Sequence, residues 1–354
     1  MSERVKAVVG NRLFWPVLAL VLLLVSNLFF SRDFFSLEVR DGHLYGSIID
    51  ILRNGAPLIL VATGMTVVIA TGGIDLSVGA IVAIVGGLAC YHISTQPDQN
   101  SLSGVITAVL MGIGLALVLG LWNGILVAGI GIQPIIATLI LMVAGRGLAQ
   151  MITDDQIITI RSPNYKFIGA GHLFTVPFAI LVALLVVLLA VLLTRRTALG
   201  MLLESVGGNA EASRLAGIRA RRITIMVYVF CGLCAGIAGL MISADVSSAD
   251  GTRAGLWIEL DAILAVVIGG TSLLGGRFSI AGTVLGALII QTLTTTILTI
   301  GVPSDATLLF KALVVTIVCL LQSPQFRAKF IRRRRPPVPP PATPAETPKV
   351  EVPA

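Results

Sequence analysis

The chain has 354 residues, 56% of them hydrophobic and only 12% charged, and its mean hydropathy is +0.96. Soluble domains carry about 25% charged residues, so this composition excludes an ordinary soluble globular protein, and the long apolar runs between Phe14 and Leu321 exclude the short alternating segments of a β-barrel. The net charge of +7 does not mark a nucleic-acid binder, because the basic residues sit at the edges of apolar runs, where they report orientation across a membrane.

In chain order, a basic start (Arg4, Lys6, Arg12) precedes an apolar run that ends in FFSRDFF with no small-residue cleavage site, which reads as a retained first span. Ten runs come near the roughly 20 residues that a helix needs to cross hydrocarbon: 14–30, 55–71, 76–93, 103–128, 134–152, 174–194, 223–243, 258–274, 279–300 and 306–322. The expected fold is an all-α polytopic membrane protein of about ten transmembrane helices. Its expected parts are a cytoplasmic N-terminus (1–13), a transmembrane domain (14–322) and a cytoplasmic tail (323–354). With the N-terminus inside, the inner segments 1–13, 195–222, 275–278 and 323–354 hold 17 of the 25 Lys and Arg. The outer segments hold six, and Arg146 and Lys311 fall within spans. That bias obeys the positive-inside rule, and an even number of spans places both termini in the cytoplasm. The tail after Arg335 holds half the prolines and almost no apolar bulk, so it is expected to be disordered, with Arg332–Arg335 before it contacting anionic lipid.

Small residues at helical spacing predict close helix contacts: Gly120-x-x-x-Gly124, Gly232-x-x-x-Gly236 and Gly282-x-x-x-Gly286. Cys231-Gly-Leu-Cys234 has metal-site spacing but no second ligand pair, and packing is the better reading. The histidines His43, His92 and His172 lie on or near the outer side, widely separated, and no metal site is assigned. ATGGIDLSVGAIVAIVGG (70–87) and VIGGTSLLGGRFSIAGTVLGALI (267–289) each place a Gly-Gly turn before a Gly-punctuated span, which reads as a duplication or as two similar re-entry turns.

Polar groups inside apolar runs are costly in lipid and must face protein or water. Four are candidates for lining a pathway. Asp75 is either a helix N-cap or a group at the cytoplasmic mouth. Asn123 sits in the fourth span beside Trp122, and Arg146 lies in the fifth as a structural pair or a pathway group. Gln291 lies in the ninth span. Lys311 either lines the interior or snorkels outward. Glu259 and Asp261 stand at the start of the eighth span, where acidic side chains favour a helix N-terminus.

The longest polar interruption, 194–222, is basic and contains GGNAEASRLAGI. There Asn209 reads as an N-cap for Ala210–Ala216 and Gly217 as a C-terminal stop, giving a cytoplasmic helix of about two turns after a Gly207-Gly208 turn. No G-x-x-x-x-G-K-[ST] phosphate loop occurs anywhere in the sequence.

GGNAEASRLAGI resembles the coupling segment of the ribose-type sugar permeases of ABC importers. ATGGIDLSVGA (70–80), GLWNGILV (120–127), PIIATLILMVAGRGLAQ (134–150), ELDAILAVVIGGTSLLGGRF (259–278) and GSIIDIL (46–52) are similar to the same family, nearest to its galactofuranose-importer permeases. The resemblance spans about residues 46–322 and implies a bacterial inner-membrane subunit without catalytic residues or cofactors, paired with a second permease copy or close paralogue. It implies a cytoplasmic ABC ATPase gripping Ala210, Glu211, Ala212, Arg214, Leu215 and Gly217, and a periplasmic sugar-binding protein delivering a galactofuranose- or ribose-like monosaccharide. Two other classes compete. An ion-coupled secondary transporter wants carboxylates deep in its spans, and few are present; an integral membrane enzyme wants a convergent nucleophile or metal set, and none assembles.

Overall fold

Helices dominate because in hydrocarbon each backbone N–H and C=O must be satisfied within its own segment. A computed structural model describes residues 13–28, 34–40, 42–301 and 304–322. The N-terminal segment 1–12 and the Pro-rich tail with Arg332–Arg335 lie outside the described residues. In chain order the helices are α1 (Phe14–Asn27), α2 (Ser47–Ala70), α3 (Val78–Ser94), α4 (Leu102–Gly124), α5 (Pro134–Ile152), α6 (Pro163–Ala170) and α7 (Phe178–Arg196). They continue as α8 (Leu199–Gly208), α9 (Ala210–Leu215), α10 (Ala220–Val246), α11 (Ile258–Ile268), α12 (Ile280–Ile300) and α13 (Ser304–Gln322). A π-helical turn, Ile125–Ile130, prolongs α4. Short antiparallel strands decorate the connections: β1 (Glu38–Arg40) with β2 (His43–Tyr45), β3 (Ile158–Thr159) with β6 (Ser248–Ala249), and β4 (His172–Leu173) with β5 (Val176–Pro177).

Among the described residues six helices are long and apolar enough to cross a membrane: α2, α4 with its π-helical turn, α5, α7, α10 and α12. They divide into centre and flank. The apolar windows of α2 and α10 are 78% and 61% buried, whereas those of α4, α5 and α7 are 28%, 28% and 22% buried, leaving Leu110, Val143 and Leu184 exposed. A helix apolar all round belongs in the middle or in lipid, and here α10 packs against α2, α3, α4 and α6 at once.

Glycine makes these crossings close. A Cβ on Gly232 would lie 2.9 Å from the Gly120 Cα, so the two small-residue motifs meet back to back where α10 crosses α4. Gly282 and Gly286 press in the same way on the Gly269 and Ala265 carbonyls at the end of α11. Cys231 and Cys234 are buried on α10 against Gly64 of α2. Hydrogen bonds tie helices where packing alone is non-directional: Thr66 with Thr283 at 2.7 Å, Asn27 to Thr296 at 2.8 Å, and Tyr165 with Ser243 at 2.7 Å.

Several expectations need correction. The second span begins at Ser47, eight residues before position 55, because Pro57 sits inside α2 without ending it. The eighth helix ends at Ile268, not 274: Gly269 and the left-handed Gly270 (φ 82°) stop it, and the backbone from 269 to 278 runs on without helix. At 11 residues α11 covers only about 16 Å, so this irregular stretch is tolerated where protein, not lipid, surrounds it. Gly207 and Gly208 close a helix, α8, in place of the expected turn. Lys311 does not snorkel; its Nζ meets Asp261 Oδ2 at 2.5 Å. His43 and His172, far apart in sequence, stack with ring centroids 4.4 Å apart where the β1–β2 and β4–β5 hairpins meet.

The close crossing is open to a direct test. A Cβ on Gly120 would fall 2.6 Å from the Tyr228 carbonyl oxygen, so Gly120→Val should destabilise by about 1–3 kcal/mol and lower the melting temperature in detergent. Gly114→Ala on the same helix, with nothing within 4 Å, should not lower it, and equal melting of the two variants would refute the close crossing. A second prediction concerns pH. Desolvation first, then the neighbouring His43 and Arg53, holds His172 below the usual histidine range. The folded chain therefore binds fewer protons there than the unfolded one; the contribution is whole above about pH 6.5 and is lost as pH falls through the lowered value. Between pH 7 and 5 the native melting temperature should fall more steeply than that of His172→Gln, and parallel slopes would count against the coupling.

Candidate functional site

After α7 the chain turns into two short helices. Asn209 stands between them in extended conformation, its Oδ1 accepting from the Ala212 N–H at 2.9 Å, which caps α9. At the other end the Ile218 N–H reaches the Ser213 carbonyl and the Gly217 N–H the Arg214 carbonyl, both at 3.0 Å. This pair of bonds requires the left-handed residue that Gly217 supplies (φ 86°). The helix is thus fixed at both ends. Only Ser213 is buried; Ala210, Glu211, Ala212, Arg214, Leu215 and Gly217 are all exposed, with Leu215 78% open to its surroundings. Arg214 donates to Glu211 from Nε at 3.1 Å and Nη2 at 2.6 Å, and this holds the Glu211 carboxyl below its usual range. The structure therefore brings together all six residues expected on the coupling element.

The seat of this element is made of backbone. A Cβ on Gly207 would lie 1.8 Å from the Ala70 carbonyl oxygen and 2.7 Å from the Gly276 nitrogen. The Gly276 N–H itself donates to the Ala70 carbonyl at 3.0 Å. Gly275, left-handed at φ 82°, would with a Cβ touch the Gly207 oxygen and the Gly72 nitrogen at 2.8 and 2.9 Å. Three segments converge here: the end of α2, the end of α8 and the irregular stretch before α12. The two Gly-Gly sequences read as similar turns are therefore in mutual contact, with α8 locked between them.

The four in-span candidates fall in three places. Asp75 and Asn123 come together, both fully buried. Asp75 Oδ1 accepts from the Ser77 N–H at 2.9 Å and from its hydroxyl at 2.6 Å, while the Asn123 amide donates to Ser77 Oγ at 2.7 Å. The Leu76 N–H donates to Thr138 Oγ1 at 3.2 Å, so this network joins the loop before α3 to α4 and α5. Asn123 lies in α4 just before its π-helical turn, seven residues from the end of the 102–130 span. Arg146 donates to the Ala254 carbonyl at 2.5 Å, beside buried Glu259. Gly79 makes that approach possible, since a Cβ there would lie 2.2 Å from Glu259 Oε2 and 3.2 Å from Arg146 Nη2. Gln291 lies on a cavity toward the start of α2, lined also by Arg253 and Gly255, the neighbours of Arg146's acceptor Ala254. Sequence reasoning missed Ser77, Thr138 and Ala70. The first two are ordinary hydroxyls by type, and the third acts through its carbonyl, which no side-chain pattern reveals.

The family described as "Branched-chain amino acid transport system / permease component" matches residues 47–319. The chain belongs to this permease family. The permease is 48% identical over 321 residues to the galactofuranose transporter permease protein of Escherichia coli K12, covering 89% of this chain and 92% of that one. It is 41% identical to the fructose import permease protein of Bifidobacterium longum (91% and 90% covered) and 39% identical to the ribose import permease protein of Bacillus subtilis (78% and 84%). No solved structure matches the permease. Its helical, multi-pass membrane character agrees with what the relatives are named for.

Adjacent glycines in α8 give a sharp test of the backbone seat. Gly208→Ala meets nothing within 4 Å and should be neutral or stabilising by up to about 1 kcal/mol, whereas Gly207→Ala collides with the Ala70 carbonyl. Thermal melting of the purified permease should separate the two variants by several degrees; indistinguishable curves would refute the contact.

Proposed function

We propose that the permease is the membrane-spanning subunit of an ATP-driven ABC importer that carries a monosaccharide, galactofuranose- or ribose-like, across the bacterial inner membrane. The observation that carries this reading is the 48% identity to a galactofuranose permease over nearly the full length of both chains, joined by fructose and ribose permeases. In this reading residues 14–322 form the transport domain, with ten spans: the six long helices together with α1, α3, α11 and α13. Both termini are cytoplasmic, and the tail's arginines meet lipid head groups.

The exposed face of α9, fixed by Asn209 and Gly217, is the surface that a separate cytoplasmic ATPase grips, through Ala210, Glu211, Ala212, Arg214, Leu215 and Gly217. A periplasmic sugar-binding protein docks on the opposite side, and a second permease copy or a close paralogue completes the pathway. Force applied to α9 passes through α8 and the Gly207 contact into α2 and α12 together, which supports its assignment as the coupling element. Asp75, Asn123 and Arg146 act as the internal ties that move with this face, and Gln291 borders the path of the sugar.

Reconstitution into proteoliposomes with the cognate ATPase and binding protein tests the reading. ATP-dependent uptake of a monosaccharide is expected, and Glu211→Lys should lower binding-protein-stimulated ATP hydrolysis about tenfold, the equivalent of about 1.4 kcal/mol at the interface. Uptake driven by an ion gradient without ATPase, or uptake of a branched-chain amino acid in place of sugar, would overturn it.

A further inference from the structure

The end of the bundle far from α9 holds a polar cavity that the helix packing does not need. Asn54 lies sixteen residues back along α2 from Ala70, about 24 Å, and Gln291 eleven residues into α12, about 16 Å from its start. Between them is a cavity of about 270 Å³ bordered by Asn54, Arg253, Asp261, Gln291, Thr294 and Lys311. Asp261 and Lys311 also border a neighbouring, mostly apolar space of about 460 Å³, whose rim carries Trp257.

Some buried polar groups are paired across helices, as in Thr66 with Thr283, and others, such as Tyr228 Oη and Thr292 Oγ1, are not. On this wall the amides of exposed Asn54 and half-buried Gln291 make no hydrogen bond among the described residues and face the cavity. Gln291 is given room by Gly55, whose absent side chain would stand 3.2 Å from its Cγ. Pro57, one turn along α2, has no N–H for the Arg53 carbonyl and also borders the cavity. The Asp261–Lys311 ion pair, 2.5 Å long, offers a carboxylate and an ammonium side by side on the wall that both spaces share. Trp257 is held left-handed, φ 67°, with its side chain 46% exposed. L-residues adopt that backbone at a cost, and it persists where the surroundings impose it.

A monosaccharide has a ring of hydroxyls, each needing a donor or acceptor, and C–H faces that pack on an aromatic ring. Free amides on one space and an indole on the adjoining one, with the charged pair on the wall between, match both demands, as binding pockets pair apolar walls with a few placed polar groups. We propose that Asn54, Gln291, the Asp261–Lys311 pair and Trp257 form a sugar subsite in the permease itself, with the amides and ion pair reading hydroxyls and Trp257 stacking on the ring. The subsite rests on the sugar-importer reading above, and adds that selectivity is exercised in the membrane subunit as well as in the binding protein.

The test uses the full complex in proteoliposomes with radiolabelled D-ribose, D-fructose and D-galactose. Wild-type protein that takes up none of the three with ATP overturns the importer reading and the subsite with it. Given wild-type uptake, the readout is sugar moved per ATP hydrolysed, which a loss of folding or of partner docking leaves unchanged. Trp257→Gly suits φ 67° better than tryptophan does, so a structural or membrane-anchoring residue predicts an unchanged ratio and equal or higher melting temperature. A stacking residue predicts that the ratio falls at least about tenfold in Trp257→Gly and is largely kept in Trp257→Phe. Gln291→Met, similar in shape but without the amide, should lower the ratio by at least about tenfold and change the order of preference among the three sugars. Normal transport by Trp257→Gly, equal losses in Trp257→Gly and Trp257→Phe, or an unaltered preference in Gln291→Met would each overturn the subsite.

Discussion

The contact on which the rest of the molecule depends is between backbones: the Ala70 carbonyl, the Gly276 N–H and the α-carbon of Gly207 occupy a space with no room for a methyl group. Side chains that pack through flexible ends yield when pushed, whereas carbonyl and amide groups at van der Waals distance do not. Because α8 is wedged there, a displacement of α9 cannot be absorbed locally. It reaches the end of α2, the most buried of the six long helices, and the stretch that leads into α12. The short helix is exposed on one side and seated through α8 on a backbone contact on the other.

The same logic explains why the bundle is rich in glycine and threonine without being loose. Lipid offers no hydrophobic drive to hold apolar helices together, so association rests on close van der Waals approach and on interhelical hydrogen bonds. Gly120 against Gly232 supplies the first, and Thr66 with Thr283 the second. The Asp75, Ser77, Asn123 and Thr138 network does for the irregular loop before α3 what helical hydrogen bonds do elsewhere. It gives the Ser77 and Leu76 N–H groups side-chain partners, while Asp75 Oδ2 and Asn123 Oδ1 stay without one. Two non-helical stretches, 71–77 and 269–278, meet at the end of α8.

Much of this is legible without coordinates. Hydropathy places the long helices to within a few residues, and the Asn209 and Gly217 signals bound α9 because caps depend on local chemistry alone. The eighth span comes out too long because Leu273 and Leu274 are as apolar as any helix interior, while the two glycines that end α11 resemble the packing glycines of the other spans. His43 and His172 look separate because nothing in sequence reports that two hairpins meet. Asp75, Asn123, Arg146 and Gln291 share a property visible in sequence, a polar group in an apolar run. What divides them is whether a partner is present in space: Asp75, Asn123 and Arg146 are bonded, and Gln291 is not.

That division separates two demands a transporter makes on polar residues in its spans. A tie between moving elements works best when all its hydrogen bonds are made, since an unpaired buried group costs stability in each conformation it visits. A group that handles a passing solute must keep a donor or acceptor free until the solute arrives. The glycine contact and the Asp75, Ser77, Asn123 and Thr138 network lie near the end of α2 and the start of α5, other ties such as Tyr165 with Ser243 and Asn27 with Thr296 lie elsewhere in the bundle, and the unbonded amides of Asn54 and Gln291 lie toward the far end of α2.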